Sequence, residues 1–407
     1  MKTAPRPVTP RPVRVLMTTD AVGGVWSYSM ELVQGFSRLG FKVALAVMGG
    51  RPSRAARADV RRIEGVELHE STFKLEWQKD PWADVDAASR WLEKLALEFK
   101  PDLVHLNEFS HGAVDFGVPV LMVAHSDVLS WHEAVRKQPA GGEWDEYRAR
   151  VRLGLAGADL VVAPTAAVLT SLQRNYGALP YTAVIPNGRS LGLEGPAPKE
   201  PFVFSAGRLW DEAKNLMSLD AAAPKMTWPV YVAGDAESPD HQSVEAKNVQ
   251  MLGRLHPKTI ANWFARAAIY AAPARYEPFG LTALEAGLSG CALVLGDISS
   301  LREVWHDAAV YVPPDDPEAL ARTVNQLIAS DRLRRELAQK AVARAQMFAG
   351  CRMLAGYTKA YRELTQGDAA ARGAAAARKF AGPTGPVARP AVARAATPDT
   401  AAQQTAG

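Results

Sequence analysis

Short, almost continuous apolar runs rich in Val, Leu and Ala alternate along this chain with longer stretches whose apolar positions recur at helical spacing. That alternation is the mark of strand–helix–strand units, and unbroken apolar strands are those buried on both faces of a parallel sheet. In the first half, strands are expected at Val13–Thr19, Lys42–Met48, Val66–Ser71, Leu103–Asn107, Pro119–His125, Leu160–Pro164 and Thr182–Pro186. A helix over Ala83–Phe99 puts Trp91, Leu92, Leu95 and Phe99 on one face and stops at Lys100-Pro101, because the residue before proline is pushed out of the α region. The stretch Leu191–Pro201 has three prolines, two glycines and no periodicity, and reads as a linker. Beyond it the alternation restarts at Phe202–Ala206, Val230–Ala233, Val249–Leu252, Ile269–Pro273, Ala292–Leu295 and Ala309–Val312, and helices over about 317–329, 331–348 and 351–365 close the pattern.

The expectation is an α/β protein of two doubly wound, Rossmann-like domains. The N-terminal one covers 13–190, with 191–201 as linker. The C-terminal one covers 202–350, and 351–367 is a helix packing back toward the N-terminal domain. Residues 1–12 and 368–407 are expected to be disordered tails, the second because its Ala/Pro/Thr/Gly-rich sequence has few large apolar residues to bury. A length of 407 residues suits two domains.

Charge changes the picture once it is located. The sequence pI is about 9.0, which would fit nucleic-acid binding. Yet Lys2, Arg6 and Arg11 stand in the first tail without an acid, and the second tail holds five bases against two acids, which leaves residues 13–367 at a net −2. The basicity belongs to the tails, so no nucleic-acid partner is expected, although the tail leaves room for weak contact with the inner face of a membrane. Apolar runs no longer than a strand exclude a spanning helix. The first dozen residues lack the apolar centre of a secretory signal, and Cys291 and Cys351 make no disulfide framework, so a cytoplasmic setting is expected.

In doubly wound sheets ligands bind beyond the carboxyl ends of the strands, and three such loops carry chemistry. The first holds Gly23-Gly24 before a helix, where backbone amides can approach a phosphate. The second holds Arg208 and then Lys214, two cations suited to a diphosphate leaving group. The third is Glu277-Pro278-Phe279-Gly280 leading into a helix from about Leu281, with the amides of Gly280, Leu281 and Thr282 free toward an anion and Glu285 one turn in, able to accept from ribose hydroxyls. Glu277, ahead of that helix, can face a sugar ring and stabilise developing positive charge.

Taken together these pieces resemble the retaining glycosyltransferases of GT-B fold often called family 4. The family's E-x7-E motif is Glu277 to Glu285 here, and Gly23-Gly24, Val123-Ala124-His125, Ile185-Pro186-Asn187-Gly188, Gly207-Arg208-Leu209 with Lys214, Val232-Ala233-Gly234-Asp235 and Leu252-Gly253-Arg254-Leu255 follow in family order. The resemblance covers about residues 13–365. The loop from Arg208 to Lys214 carries one residue more than is usual in that family.

The resemblance implies a hexose-type sugar moved with retention from a nucleotide-diphosphate sugar, with UDP favoured, to an acceptor hydroxyl on a sugar, a lipid or a small metabolite. It implies that Arg208 and Lys214 hold the diphosphate, Glu285 the ribose, Arg254-Leu255 the base, and that Glu277 and His125 lie by the sugar. No cofactor and no metal are expected. Asp84-Val85-Asp86 has the pattern by which transferases of another fold hold a cation, but it opens a helix, where acids suit the helix dipole. The acceptor is expected at loops around Trp26, Glu108, Ser126–Arg136 and Gly141–Tyr147. A GT-B nucleotide-sugar epimerase, a glycan phosphorylase carrying pyridoxal, and a non-catalytic nucleotide-sugar-binding protein are the alternatives.

Overall fold

The computed structural model describes residues 11–366 apart from 22, 180, 191–197, 239, 240 and 242. Residues 1–10 of the first expected tail, all of the second and 191–197 of the expected linker lie outside the described residues, whereas Arg11, expected in the first tail, pairs with Asp102. Seven strands, β1 Arg14–Asp20, β2 Lys42–Met48, β3 Val66–Glu70, β4 Leu103–Leu106, β5 Val120–Val123, β6 Leu160–Ala163 and β7 Thr182–Val184, form one all-parallel sheet in the order β3-β2-β1-β4-β5-β6-β7. Six more, β8 Glu200–Ala206, β9 Val230–Ala233, β10 Gln250–Met251, β11 Ala267–Ala272, β12 Ala292–Gly296 and β13 Val310–Val312, form a second parallel sheet in the order β10-β9-β8-β11-β12-β13.

Helices cover both faces of each sheet: α1 Gly24–Arg38, α2 Arg54–Arg61, α3 Trp82–Phe99, α4 Val128–Arg136, α5 Asp145–Gly157 and α6 Ala166–Tyr176 in the first half, then α7 Leu216–Ala222, α8 Pro257–Arg266, α9 Leu281–Leu288, α10 Ser299–Trp305, α11 Pro317–Ala329, α12 Asp331–Ala345 and α13 Gly350–Gln366. The strand interiors are buried almost throughout, which is why they read as unbroken apolar runs. No described helix is long and apolar enough to cross a membrane.

Three local differences from the sequence expectation have physical reasons. The strand expected at Val249–Leu252 shrinks to two residues because β10 is an edge strand with a partner on one side only. The helix expected over 331–348 ends at Ala345 and tightens into a 3-10 turn over Gln346–Phe348, which seats Phe348 against Phe279. The second sheet starts at Glu200, two residues inside the expected linker, where Glu200 makes a two-pronged pair with Arg266.

The last helix does not stay with the second sheet. Met353, Tyr357, Ala360 and Tyr361 enter the core formed by α1 and the first sheet. Tyr361 and Tyr28 hydrogen-bond the two ring nitrogens of buried His105, which makes that histidine a core residue.

Strand order reverses between β1 and β4 in the first sheet and between β8 and β11 in the second. Such reversals open a crevice at the carboxyl edge, because the crossovers on either side leave in opposite directions. The four loops leaving β1, β4, β8 and β11 carry Gly23-Gly24, Asn107-Glu108, Arg208 to Lys214, and Glu277 to Gly280.

Candidate active site

Gly23 adopts φ +114, a conformation that a side chain would strain, and a Cβ placed on it would lie 3.4 Å from the Arg208 Cδ. A Cβ on Gly24 would lie 3.8 Å from Leu281. The glycine turn of the first sheet therefore packs directly on the arginine of the second and on the first residue of α9.

The Arg208–Lys214 loop ends in a 3-10 turn over Glu212–Lys214, capped by Asp211 and ended by Asn215 at φ 57. Asn215 holds that left-handed turn by donating to the carbonyls of Pro273 and Pro314. Lys214 still reaches the site, with Nζ 2.6 Å from Glu277 Oε2. The other Glu277 oxygen accepts the Gly280 amide at 3.0 Å, and Ser300 donates to the Glu277 carbonyl, so the acid is fixed from three sides. Gly280 is left-handed at φ 88 and turns the chain into α9, where Thr282 meets the Tyr270 hydroxyl. Ala206, Gly207, Lys214, Glu277, Gly280 and Thr282 line one cavity at the carboxyl edge of the second sheet.

Arg208 pairs with Asp211 at 2.9 Å. Burial alone would raise the Asp211 carboxyl, but Arg208, Lys214 and the N–H groups of Trp131 and Ala213 hold it below the usual range.

On the facing sheet, His125 Nε2 lies 2.7 Å from Asn107 Oδ1, and the Asn107 amide donates to the Thr18 carbonyl. With Asn107 Oδ1 thereby an acceptor, His125 carries its proton on Nε2 and offers Nδ1 as an acceptor. Burial pulls its pKa down to about 3, so the ring is neutral. Glu108, next along, is pushed up to about 8, first by burial, which Thr18 partly relieves, and then by Asp20 and Glu76. It keeps its proton at neutral pH.

Not every expected residue stands in this group. Glu285 is drawn to Arg189, whose Nε lies 2.7 Å from Oε1 and whose guanidinium also approaches Glu31. Arg254 is largely exposed beside Asp235, and Leu255 packs on the core beyond edge strand β10. Asp86 of the Asp-x-Asp pattern is bound by Arg150, and Asp84 opens α3 without joining it. Among the described residues no group of three His, Cys, Asp or Glu side chains is placed to hold a metal ion.

Sequence reasoning passed over Asp211, Asn107 and Arg189, each of which fixes an expected site residue. Asn107 was within reach, because it ends a strand beside the switch point. It also passed over the contacts across the crevice: Tyr276 to the Asp127 amide, Thr165 to the Pro278 carbonyl, and Glu303, whose carboxylate accepts both Ala166 and Ala167 amides at the start of α6.

Residues 22–192 match the family described as Glycosyltransferase Family 4, and residues 200–330 match Glycosyl transferases group 1. The chain belongs to the group 1, family-4 glycosyltransferases. It is 26% identical over 398 residues to a D-inositol 3-phosphate glycosyltransferase of Xylanimonas cellulosilytica, covering 86% of this chain and 93% of that protein. An alpha-maltose-1-phosphate synthase of Mycolicibacterium smegmatis is 27% identical over 54% of this chain and 66% of its own length. Among solved structures, sucrose-phosphate synthase from Thermosynechococcus elongatus superposes with a TM-score of 0.73 at 19% identity, over 88% of this chain and all of its own. Anabaena HepE in complex with UDP and glucose gives 0.69 at 17%, over 86% of this chain and all of its own. These structures share the GT-B fold, two parallel-sheet Rossmann-like domains, and the family makes this chain a glycosyltransferase.

Proposed function

We propose that this glycosyltransferase moves a hexose from a nucleotide-diphosphate sugar, UDP-linked in the first instance, to a hydroxyl of a small polyhydroxyl metabolite, with retention of anomeric configuration. The observation that carries the reading is the meeting of Gly23, Arg208, Lys214 and Glu277 at two facing switch points. In it, Arg208, Lys214 and the amides at the start of α9 take up the diphosphate charge. Glu277 faces the sugar, and the neutral His125 accepts from one of its hydroxyls. The bond from the anomeric carbon to the bridging phosphate oxygen breaks on the face where the acceptor oxygen adds, and the leaving phosphate takes the acceptor's proton. No protein nucleophile is required, unlike in retaining hydrolases, where a carboxylate attacks. Charge neutralisation by side chains and amides makes a metal unnecessary, so turnover is expected to persist in chelator.

The names of the D-inositol 3-phosphate glycosyltransferase and the alpha-maltose-1-phosphate synthase support a small acceptor, and the nucleotide in HepE supports UDP. The test is incubation with UDP-, GDP- and ADP-hexoses, each with D-inositol 3-phosphate, a sugar phosphate and a lipid acceptor, and analysis of the product by the coupling of its anomeric proton. An α-linked product from an α-linked donor is expected. An inverted product overturns the mechanism, and donor epimerisation without acceptor favours the epimerase reading.

A further inference from the structure

The loop from Arg208 to Lys214 leaves the second sheet, yet side chains from the first half of the chain meet it along its length. Trp131 on α4 donates its indole N–H to Asp211 Oδ1 at 3.0 Å. Arg136, a turn later, pairs with Glu212 at 2.7 Å. Trp77 stacks on Trp210 with ring centroids 6.5 Å apart. Asp211 is buried, and its oxygens divide between two duties: Oδ1 receives Trp131 and the Ala213 amide, and Oδ2 receives Arg208.

That division has an electrostatic consequence. A buried carboxylate with few donors cancels a neighbouring guanidinium almost entirely, whereas one already satisfied by N–H groups leaves more of the cation's field for another anion. The Trp131 bond exists only while α4 lies against this loop, so the field of Arg208 depends on the two sheets facing each other.

We propose that Trp131 and Asp211 are positioning residues which couple closure of the two domains to the diphosphate affinity of Arg208. The inference rests on the reading of Arg208 as a diphosphate ligand. With the crevice shut, Trp131 occupies Asp211 Oδ1, so Asp211 holds Arg208 through Oδ2 alone and the rest of the guanidinium is left for the donor. With it open, Asp211 Oδ1 loses that donor and competes for Arg208 as well, which tightens a pair that already exists. The enzyme thus presents its strongest phosphate site only when the acceptor-side domain is in position, which limits loss of donor to water.

Trp131→Phe keeps an aromatic ring on α4 while removing the indole N–H and the five-membered ring that carries it, so the Arg208→Ala background separates the lost hydrogen bond from lost packing. The experiment measures binding of UDP, GDP and ADP, and of the corresponding nucleosides, by calorimetry on wild type, Trp131→Phe, Arg208→Ala and the double variant, with melting temperatures alongside. Trp131→Phe is expected to weaken the preferred diphosphate about tenfold, the scale of one hydrogen bond to a charged group. Nucleoside affinity and melting temperature should stay at wild-type values. In the Arg208→Ala background the same change should cost nothing further, because it acts through Arg208. Equal losses for nucleoside and diphosphate, or the same loss with and without Arg208, overturn the inference. Diphosphate binding weakened by Arg208→Ala but untouched by Trp131→Phe overturns the inference and leaves the proposed function standing; failure of every diphosphate to bind wild type overturns both.

Discussion

Lys214 Nζ stands 2.6 Å from Glu277 Oε2, which ties the loop after β8 to the loop after β11 across the point where strand order reverses. Both side chains are only partly exposed, at 21% and 18%. At an effective dielectric near 20, a pair at about 4 Å attracts by about 4 kcal/mol before desolvation is counted. Most of that is offset by removing both ions from water, so the pair contributes more to orientation than to stability. A donor diphosphate bound as proposed would compete with Glu277 for the lysine. Lys214→Ala and Arg208→Ala are each expected to slow donor turnover by roughly 10²–10³, the effect of losing one preorganised charge contact. Turnover at the wild-type rate in a steady-state assay would remove the two residues from the phosphate site.

Glu277 and Glu285 should separate kinetically. Glu277→Gln keeps the shape and the Gly280 contact and removes the charge proposed to face the sugar, so the rate constant should fall while affinity for the free nucleoside diphosphate stays near wild type. Glu285→Ala should weaken that affinity by removing the carboxylate expected at the ribose. Calorimetry together with single-turnover rates distinguishes the two, and reversed behaviour would exchange the roles.

Glu108 makes stability depend on pH in a defined window. Below the ordinary value of 4.5, folded and unfolded chains both carry its proton; between 4.5 and about 8 the unfolded chain releases it and the folded chain keeps it. Folding is therefore penalised increasingly as pH rises through that window, and by a constant amount above it. Relative to wild type, Glu108→Gln should gain roughly 4 kcal/mol of stability between pH 4.5 and pH 8. Melting curves of both proteins from pH 4.5 to 9 check this, and a difference that does not change with pH would place Glu108 in a wetter setting. Buried His105, His111 and His125 act on the acid side: their values sit at about 3, 4 and 3, so stability should fall as pH drops from 6.5 toward 4. That contribution is common to both proteins and cancels in the comparison.

The two cysteines should react differently. Cys291 is fully buried, its thiol pushed up to about 11 by burial, whereas Cys351 is exposed on α13. A thiol reagent should modify one group per chain in the native protein and two in denaturant. Two fast-reacting thiols in the native protein would mean that the packing of α9 on β12 is looser than described.

The strands were legible because parallel sheets covered on both faces demand unbroken apolar runs, as at Val43–Met48 or Ala292–Leu295. Gly280 was legible because the turn into α9 needs a left-handed residue, and Glu277 because it stands just ahead of that turn, eight positions before Glu285. What could not be read were pairings between distant positions: Trp131 meets Asp211 eighty positions on, and Arg189 meets Glu285 ninety-six positions on. No local pattern specifies such contacts; they exist only once two sheets face each other. The strand at 249–252 failed for the opposite reason, since its sequence is adequate but its place at an edge gives it one neighbour.

The helix Gly350–Gln366 has a consequence for how the molecule is made. Tyr357 and Tyr361, each worth roughly 1.5–3 kcal/mol when buried, close the core around Tyr28, Phe36 and His105. That core begins at β1, so its two halves are separated by the whole second sheet. During synthesis the amino-terminal half cannot complete its packing when its own last strand leaves the ribosome. It must wait, with the pocket for those two tyrosines exposed, until residue 361 has been made, and part of its stability comes from a helix that follows the whole second sheet.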